Sequence, residues 1–200
     1  MLGSDRSIWN KEKKQFMTHE TFRQYTPLYS KEPRKSLLKL LFTVNISVQK
    51  IFKAADFFKE KGQPDNIRFW FSNDFRDRFL IDADKIELDS PAAILNIYEL
   101  SEASADSSIL TALGDKDMAK TRLAYIAQFI KGQPNGEESL LLNEGGANIF
   151  YVEDVYSVLW TIHCSWDSDF SRWNVGMRTV TSLRTWSTDH QIFSPSVLTY

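Results

Sequence analysis

Residues 34–61, RKSLLKLLFTVNISVQKIFKAADFFKEK, hold the longest apolar-rich stretch of the chain, and the fold turns on how it is read. Leu37, Leu41, Val44, Val48, Ile51, Ala55 and Phe58 recur with alternating gaps of four and three, the period of a helical seam. Leu38, Leu40, Phe52 and Ala54 flank that seam and widen it beyond the contact stripe of a two-stranded coil. The spacing therefore predicts a helix over 35–60, buried against a sheet or in a bundle. Pro33 suits its start, and Gly62 with Pro64 its end. Thr43 to Gln49 is rich in β-branched and cap-type residues, so a kink or break is expected there. Lys39, Lys50, Lys53 and Asp56 interrupt the apolar run with charge, which excludes a membrane span.

Downstream, residues 67–72 (IRFWFS) are aromatic and β-prone, a polar run follows over 73–77, and Phe79 to Ile81 is apolar again: a hairpin. Ser90 and Pro91 form an N-cap and first-turn pair for a helix through Ile94, Leu95 and Tyr98 to about Glu102. A short helix or turn over 109–113 stops at Gly114, and Asp115 caps the next helix, whose stripe is Ala119, Leu123, Ile126 and Ile130. Residues 139–143 and 149–152 flank Glu144-Gly145-Gly146, a second hairpin signal. Glu153 and Asp154 then place negative charge at the start of a helix carrying Val155, Leu159, Ile162 and Trp166. The Thr- and Val-rich stretch 175–186 favours strand. Upstream, residues 1–33 mix charge with Trp9, Phe16, Phe22, Tyr25, Tyr29 and two prolines, the composition of an arm that docks by its rings.

The tetrapeptide Lys-Gly-Gln-Pro occurs at 61–64 and again at 131–134, and at the same offset Lys50 matches Lys120, Ala54 matches Ala124, Asn73 matches Asn143 and Asp84 matches Asp154. The order of expected elements repeats with it, which suggests an internal α-β-β-α duplication with units at about 35–104 and 105–170. The expected fold class is α+β: a mostly antiparallel sheet built from two hairpins, with helices packed on it, forming one domain over 34–200 behind an N-terminal arm over 1–33.

With 200 residues the chain buries about 70 % of its unfolded surface. Its 14 Phe, 6 Trp and 7 Tyr residues exclude wholesale disorder. The single cysteine, Cys164, cannot form an internal disulfide and the first thirty residues lack the apolar core of a signal peptide, so the expected compartment is the cytoplasm. A net charge of -2 conceals segregation: residues 1–61 hold 13 Lys/Arg and 6 Asp/Glu, residues 62–154 hold 8 and 17. Such polarity serves either attraction between parts of the fold or an external partner, nucleic acid included.

Motifs that would name a reaction are missing. His163, Cys164, Asp167 and Asp169 crowd into HCSWDSD, but adjacent residues on a helix diverge by about 100° and no second His/Cys pair completes a zinc shell. Asp167, Asp169 and Ser171 imitate the opening of a calcium loop, which then fails at Arg172 and Arg178. No metal or cofactor is expected. A Cys164 nucleophile needs a separate base, for which His190 is the better candidate and His163 the poorer. Asp82, Asp84, Glu87 and Asp89 form the densest acidic run, expected as a solvated, charge-protected edge. The compositional oddity is tryptophan: Trp160, Trp166, Trp173 and Trp186 fall close together, interleaved with Arg172, Arg178 and Arg184. Indole and guanidinium stack, and the pair is typical of interface hot spots and nucleobase contacts. These seven residues are the candidate binding residues. The leading expectation is a protein-interaction module without a catalytic motif, homo-oligomeric or bound to a protein partner, contacting through the 35–60 segment or the Trp/Arg segment. The alternatives are nucleic-acid binding by the basic N-terminal third, and a hydrolase using His163, Cys164 and Asp167.

Overall fold

Apolar residues in alternate positions, not a helical seam, organise the main body of the protein. The computed structural model describes residues 8–10, 15–17, 36–47, 49–60, 67–81 and 86–196. The chain divides into two units, 1–35 and 36–200. In the first, strands β1 (Ile8–Asn10) and β2 (Gln15–Met17) pair antiparallel with Trp9 opposite Phe16.

The second unit begins with β3 (Leu38–Ile46), β4 (Gln49–Lys53), α1 (Ala54–Phe57) and β5 (Phe69–Phe71). A single turn, α2 (Asn73–Phe75), widens into a π-helical segment over Arg76–Ile81, and β6 (Ile86–Ser90) and β7 (Ala93–Leu100) follow. Next come β8 (Ser104–Ala105), α3 (Asp106–Ala112), α4 (Lys116–Ala119), β9 (Lys120–Thr121) and α5 (Leu123–Gly132). The chain closes with β10 (Asn148–Glu153), β11 (Leu159–Asp167), β12 (Arg172–Thr179), β13 (Thr185–Trp186) and β14 (Gln191–Pro195).

Eight strands form one mixed sheet in the order β3-β7-β14-β10-β11-β12-β5, with β9 beside β10. The β10–β14, β10–β9 and β12–β5 pairs are parallel, and the remaining neighbours are antiparallel. Both faces are covered. Along β10, Phe150 and Val152 join a core with α1, α2, α5 and the phenyl rings of Phe57, Phe58, Phe69, Phe71, Phe75 and Phe79. Ile149 and Tyr151 point the other way, into a second core with α3, α4, Leu38, Leu100, Ile192 and Trp186. Successive residues of a strand face opposite sides, so a strand buried on both is apolar at nearly every position.

Three expected helices are strands, two of them, β7 and β11, for that reason, and the third an edge strand with an alternating apolar row. The 35–60 segment is β3, β4 and the one-turn α1; its Leu38, Leu40, Phe42, Val44 and Ile46 step by two, and a bulge between Leu40 and Phe42 moves this row from one face to the other. Residues 93–100, expected as a helix after Ser90-Pro91, form β7, with Leu95 and Ile97 buried in the first core. Residues 159–167 form β11, where Ile162 and Cys164 enter that core with Trp160 and Trp166 packed against it.

The two-hairpin sheet and the duplication fall with these helices. Residues 79–81 lie in the π turn and residues 139–143 form no strand, so neither expected hairpin exists. The first Lys-Gly-Gln-Pro lies outside the described residues, and the chain before it is strands and a single turn. The second ends the ten-residue α5. The elements around the two therefore differ. Helix signals did act where caps and breakers were real. Asp115 Oδ1 accepts from the Met118 N–H at 2.8 Å, α3 ends before Gly114 at φ +114°, and α5 carries Leu123, Ile126 and Ile130, but β9 divides the expected helix and leaves Ala119 of its stripe at the end of the one-turn α4.

Candidate functional site

The Trp/Arg segment supplies part of a buried polar cluster on the second face of the sheet. Tyr151 of β10, Thr161 of β11 and Arg178 of β12 stand side by side in one cross-strand row. Above it sits Asp106, the first residue of α3, placed there by the two-residue ladder between β8 and β13. Its Oδ1 accepts from Tyr151 Oη at 3.0 Å and Trp186 Nε1 at 2.9 Å, and its Oδ2 from Arg178 Nε at 2.9 Å. Arg178 Nη2 lies 2.8 Å from the same oxygen, and the guanidinium stacks 3.6 Å from the Trp186 ring centroid. Asp106 is wholly buried. A buried carboxylate is tolerable only when paired and hydrogen-bonded in this way. Burial, with the Asp106 charge beside it, pushes the Tyr151 hydroxyl well above its ordinary pKa.

In the next row His163 lies over Gly176, its cross-strand partner, where an added Cβ would come within 2.6 Å of the imidazole. Burial lowers the His163 pKa to about 4, helped by the charge of Arg178. His190 packs edge-on against Trp186, with ring centroids 5.2 Å apart, and burial lowers its pKa too. Its Nδ1 accepts the Ala147 N–H at 3.0 Å, so the neutral ring carries its proton on Nε2. Ser187 Oγ, 3.4 Å from that Nε2, donates to Asp189. In this arrangement the imidazole cannot take the serine proton, and the trio is not wired as a nucleophile and base.

The other candidates do not converge. Cys164 belongs to the first core and His163 to the second face, so the sheet separates thiol from imidazole; complete burial pushes the thiol pKa far up. Asp167 closes the β11–β12 turn by accepting from the Phe170 N–H, Arg172 Nε and Asn174 Nδ2 at 3.2–3.3 Å. Its burial works to raise the pKa, but those hydrogen bonds and the Arg172 charge outweigh it and hold the carboxyl below the usual range. Asp169 is exposed. Among the described residues no group of three or more His, Cys, Asp or Glu side chains could hold a metal ion.

Of the seven Trp/Arg candidates, most face inward. Trp173 is fully buried and donates to the Gln133 carbonyl at 3.3 Å, while Trp166 packs edge-on against it. Trp160 donates to Asp154 at 2.9 Å beneath Arg78. Arg172 pairs with Asp167, Arg178 and Trp186 join at Asp106, and Arg184 alone is exposed. Asp154, expected to open a helix, instead ties the β10–β11 turn by accepting from the Tyr156 and Val158 N–H groups. Glu87, expected on a solvated edge, is buried and caps α5 from β6, accepting from the N–H groups of Leu123 and Ala124 at 3.0 and 2.9 Å. Asp82 and Asp84 lie outside the described residues, as do Lys11, Lys13, Lys14, Arg34 and Lys35 of the basic N-terminal third. Within that third, Lys39 pairs with Glu99 at 3.0 Å and Lys59 with Asp56 at 3.8 Å.

The exposed chemistry lies in the first strands of the second unit. Among the described residues β3 pairs on one side only, with β7. Leu40 and Phe42 on β3 are 52 % and 55 % exposed, one on each face because of the bulge between them. In the β4–β6 ribbon Ile51 stands opposite Leu88, both 66 % exposed, beside Ile86 at 45 %, while Phe52 and Glu87 turn inward. Sequence reasoning passed over Asp106 and Tyr151, and it assigned β3 to a buried helical seam. The chain matches no protein-family model, and no curated protein or solved structure matches it. Among the described residues no helix is long and apolar enough to cross a membrane.

Proposed function

We propose that the chain is a small intracellular protein-interaction module that works as a homo-oligomer, with its contact surface on the strands between Leu38 and Ser90. The supporting observation is the exposed apolar set Leu40, Phe42, Ile51, Ile86 and Leu88, carried on an edge strand and a two-stranded ribbon. Phe170 and Leu183 sit singly in turns or loops, which is ordinary for a protein surface, while Val155, Tyr156 and Val158 share the β10–β11 turn, where Tyr156 lies under Arg78, and Trp70 stands on β5. An unpaired edge also offers a row of backbone donors and acceptors, and natural proteins that do not use such an edge blunt it with charge or proline. The only charged residue on β3 is Lys39, and it is turned to Glu99. A single, buried cysteine supports the reducing compartment.

Light scattering across a concentration series tests the reading. The expected particle mass is a multiple of the 23.2 kDa chain, and a Phe42→Lys/Leu88→Lys variant shifts it towards one chain. A strictly monomeric wild type at every concentration would overturn it.

A further inference from the structure

The bulge in β3 also fixes how two copies could meet, an inference that rests on the self-association proposed above. Before the bulge, Leu38 and Leu40 share a face with Leu100 and Tyr98. After it, Phe42, Val44 and Ile46 stand opposite Ile97, Leu95 and Ala93 on the other face, and Thr43 and Asn45 stand opposite Asn96 and Ile94. Residues directly opposite one another in an antiparallel ladder point to the same face. A two-fold axis at Phe42 would therefore set Leu38 of one copy against Ile46 of the other with their side chains on opposite faces, and is excluded. The segment after the bulge has no such conflict.

We propose that two copies pair their β3 strands antiparallel about a two-fold axis at Val44, joining their sheets edge to edge. Phe42 then meets the second copy's Ile46, Val44 meets its own counterpart, and Thr43 meets Asn45. Apolar stands against apolar on one face and polar against polar on the other. No charged residue lies between Phe42 and Ile46, so no like charges oppose. Thr43 Oγ1 already donates to Asn96 Oδ1 at 3.0 Å, and the second copy's Asn45 extends that polar row. Axes at Thr43 or Asn45 would use fewer of the five residues. An isologous contact of this kind closes as a dimer and leaves no further β3 edge to pair.

The test is self-crosslinking of the full chain carrying Val44→Cys under mild oxidation. Directly opposite residues have Cα atoms about 4.5–5.5 Å apart, within the span of a disulfide. The native Cys164 is buried and does not compete. Leu40→Cys is the control: the Leu40 side chain is more exposed than that of Val44, but it lies beyond the bulge and faces the other side. Val44→Cys is expected to give covalent dimer on the order of tenfold or more faster than Leu40→Cys, because pairing raises the effective concentration of one site only. Equal rates, or a faster Leu40→Cys, would overturn the register. If the wild type is dimeric by light scattering and the rates are equal, the register fails while self-association stands. A monomeric wild type without crosslinking removes both.

Discussion

The Asp106 cluster and the β3 edge draw on residue types common at interfaces and use them in opposite ways. Around Asp106, two candidate contact residues, Arg178 and Trp186, are consumed by one carboxylate and by each other, and the result is a latch holding α3 and the β8–β13 ribbon to the sheet. On β3, Leu40 and Phe42 have no comparable internal use and remain half exposed. Composition identifies residues that can recognise a partner; packing decides whether the partner is internal.

The strongest way to break this comparison is to remove the latch. Asp106→Ala leaves the Arg178 charge and the Tyr151 and Trp186 donors without their acceptor, and truncating one side of a buried charge pair costs about 3–5 kcal/mol. Urea unfolding should show that loss, while Arg184→Ala, which alters an exposed side chain in the same segment, stays within about 0.5 kcal/mol. An Asp106→Ala midpoint indistinguishable from wild type would mean that the latch holds nothing.

Acidification loads the same cluster from the neighbouring row. The folded His163 pKa of about 4 lies below its ordinary 6.5, so between those values the unfolded chain binds a proton that the folded chain refuses. Stability is therefore full above about pH 6.5 and falls as the pH drops towards 4, with a slope of up to about 1.4 kcal/mol per pH unit from this group. The lowered His190 pKa acts in the same direction. Urea midpoints at pH 7, 6 and 5 check the slope, and His163→Gln should flatten it.

A smaller effect tests how the sheet's first face is closed. Gly136 has φ +69°, and a Cβ there would sit 2.2 Å from the Trp166 ring, so Gly136→Ala forces Trp166 off Trp173 at a cost of about 1–3 kcal/mol. Near-UV circular dichroism should report the displaced indole even where the chain remains folded.

Local signals in the chain were legible where they act locally. The Asp115 cap, the stop at Gly114 and the α5 stripe need only residues within one or two turns. The row Leu38, Leu40, Phe42, Val44, Ile46 and the row Trp160, Ile162, Cys164, Trp166 also stand in the sequence at period two. Leu37 and the bulged Leu41 filled in a helical period beside the first row, and Leu159 of the other core beside the second, so apolar residues off each row made the two periods coincide. Asp106 gave no local sign because its partners Tyr151, Arg178 and Trp186 are 45, 72 and 80 residues away. Glu87 looked like surface charge because the helix it caps begins 36 residues later.

The smallest expected change in stability is the most informative about the edge. Phe42→Thr removes a half-exposed ring from an outer strand, puts a β-branched, strand-favouring side chain in its place and leaves no buried cavity, so the folding free energy of the single chain should move by no more than about 0.5 kcal/mol. If the ring meets Ile46 of a second copy, the same substitution weakens association, and light scattering shows it as a higher concentration needed to reach the larger mass. A change in association without a change in chain stability separates a contact residue from a core residue, which Asp106→Ala cannot do because it disturbs the fold first. Were Phe42→Thr instead to lower the urea midpoint as much as Gly136→Ala does, Phe42 would be packing against its own chain, and the contrast between latch and edge would vanish.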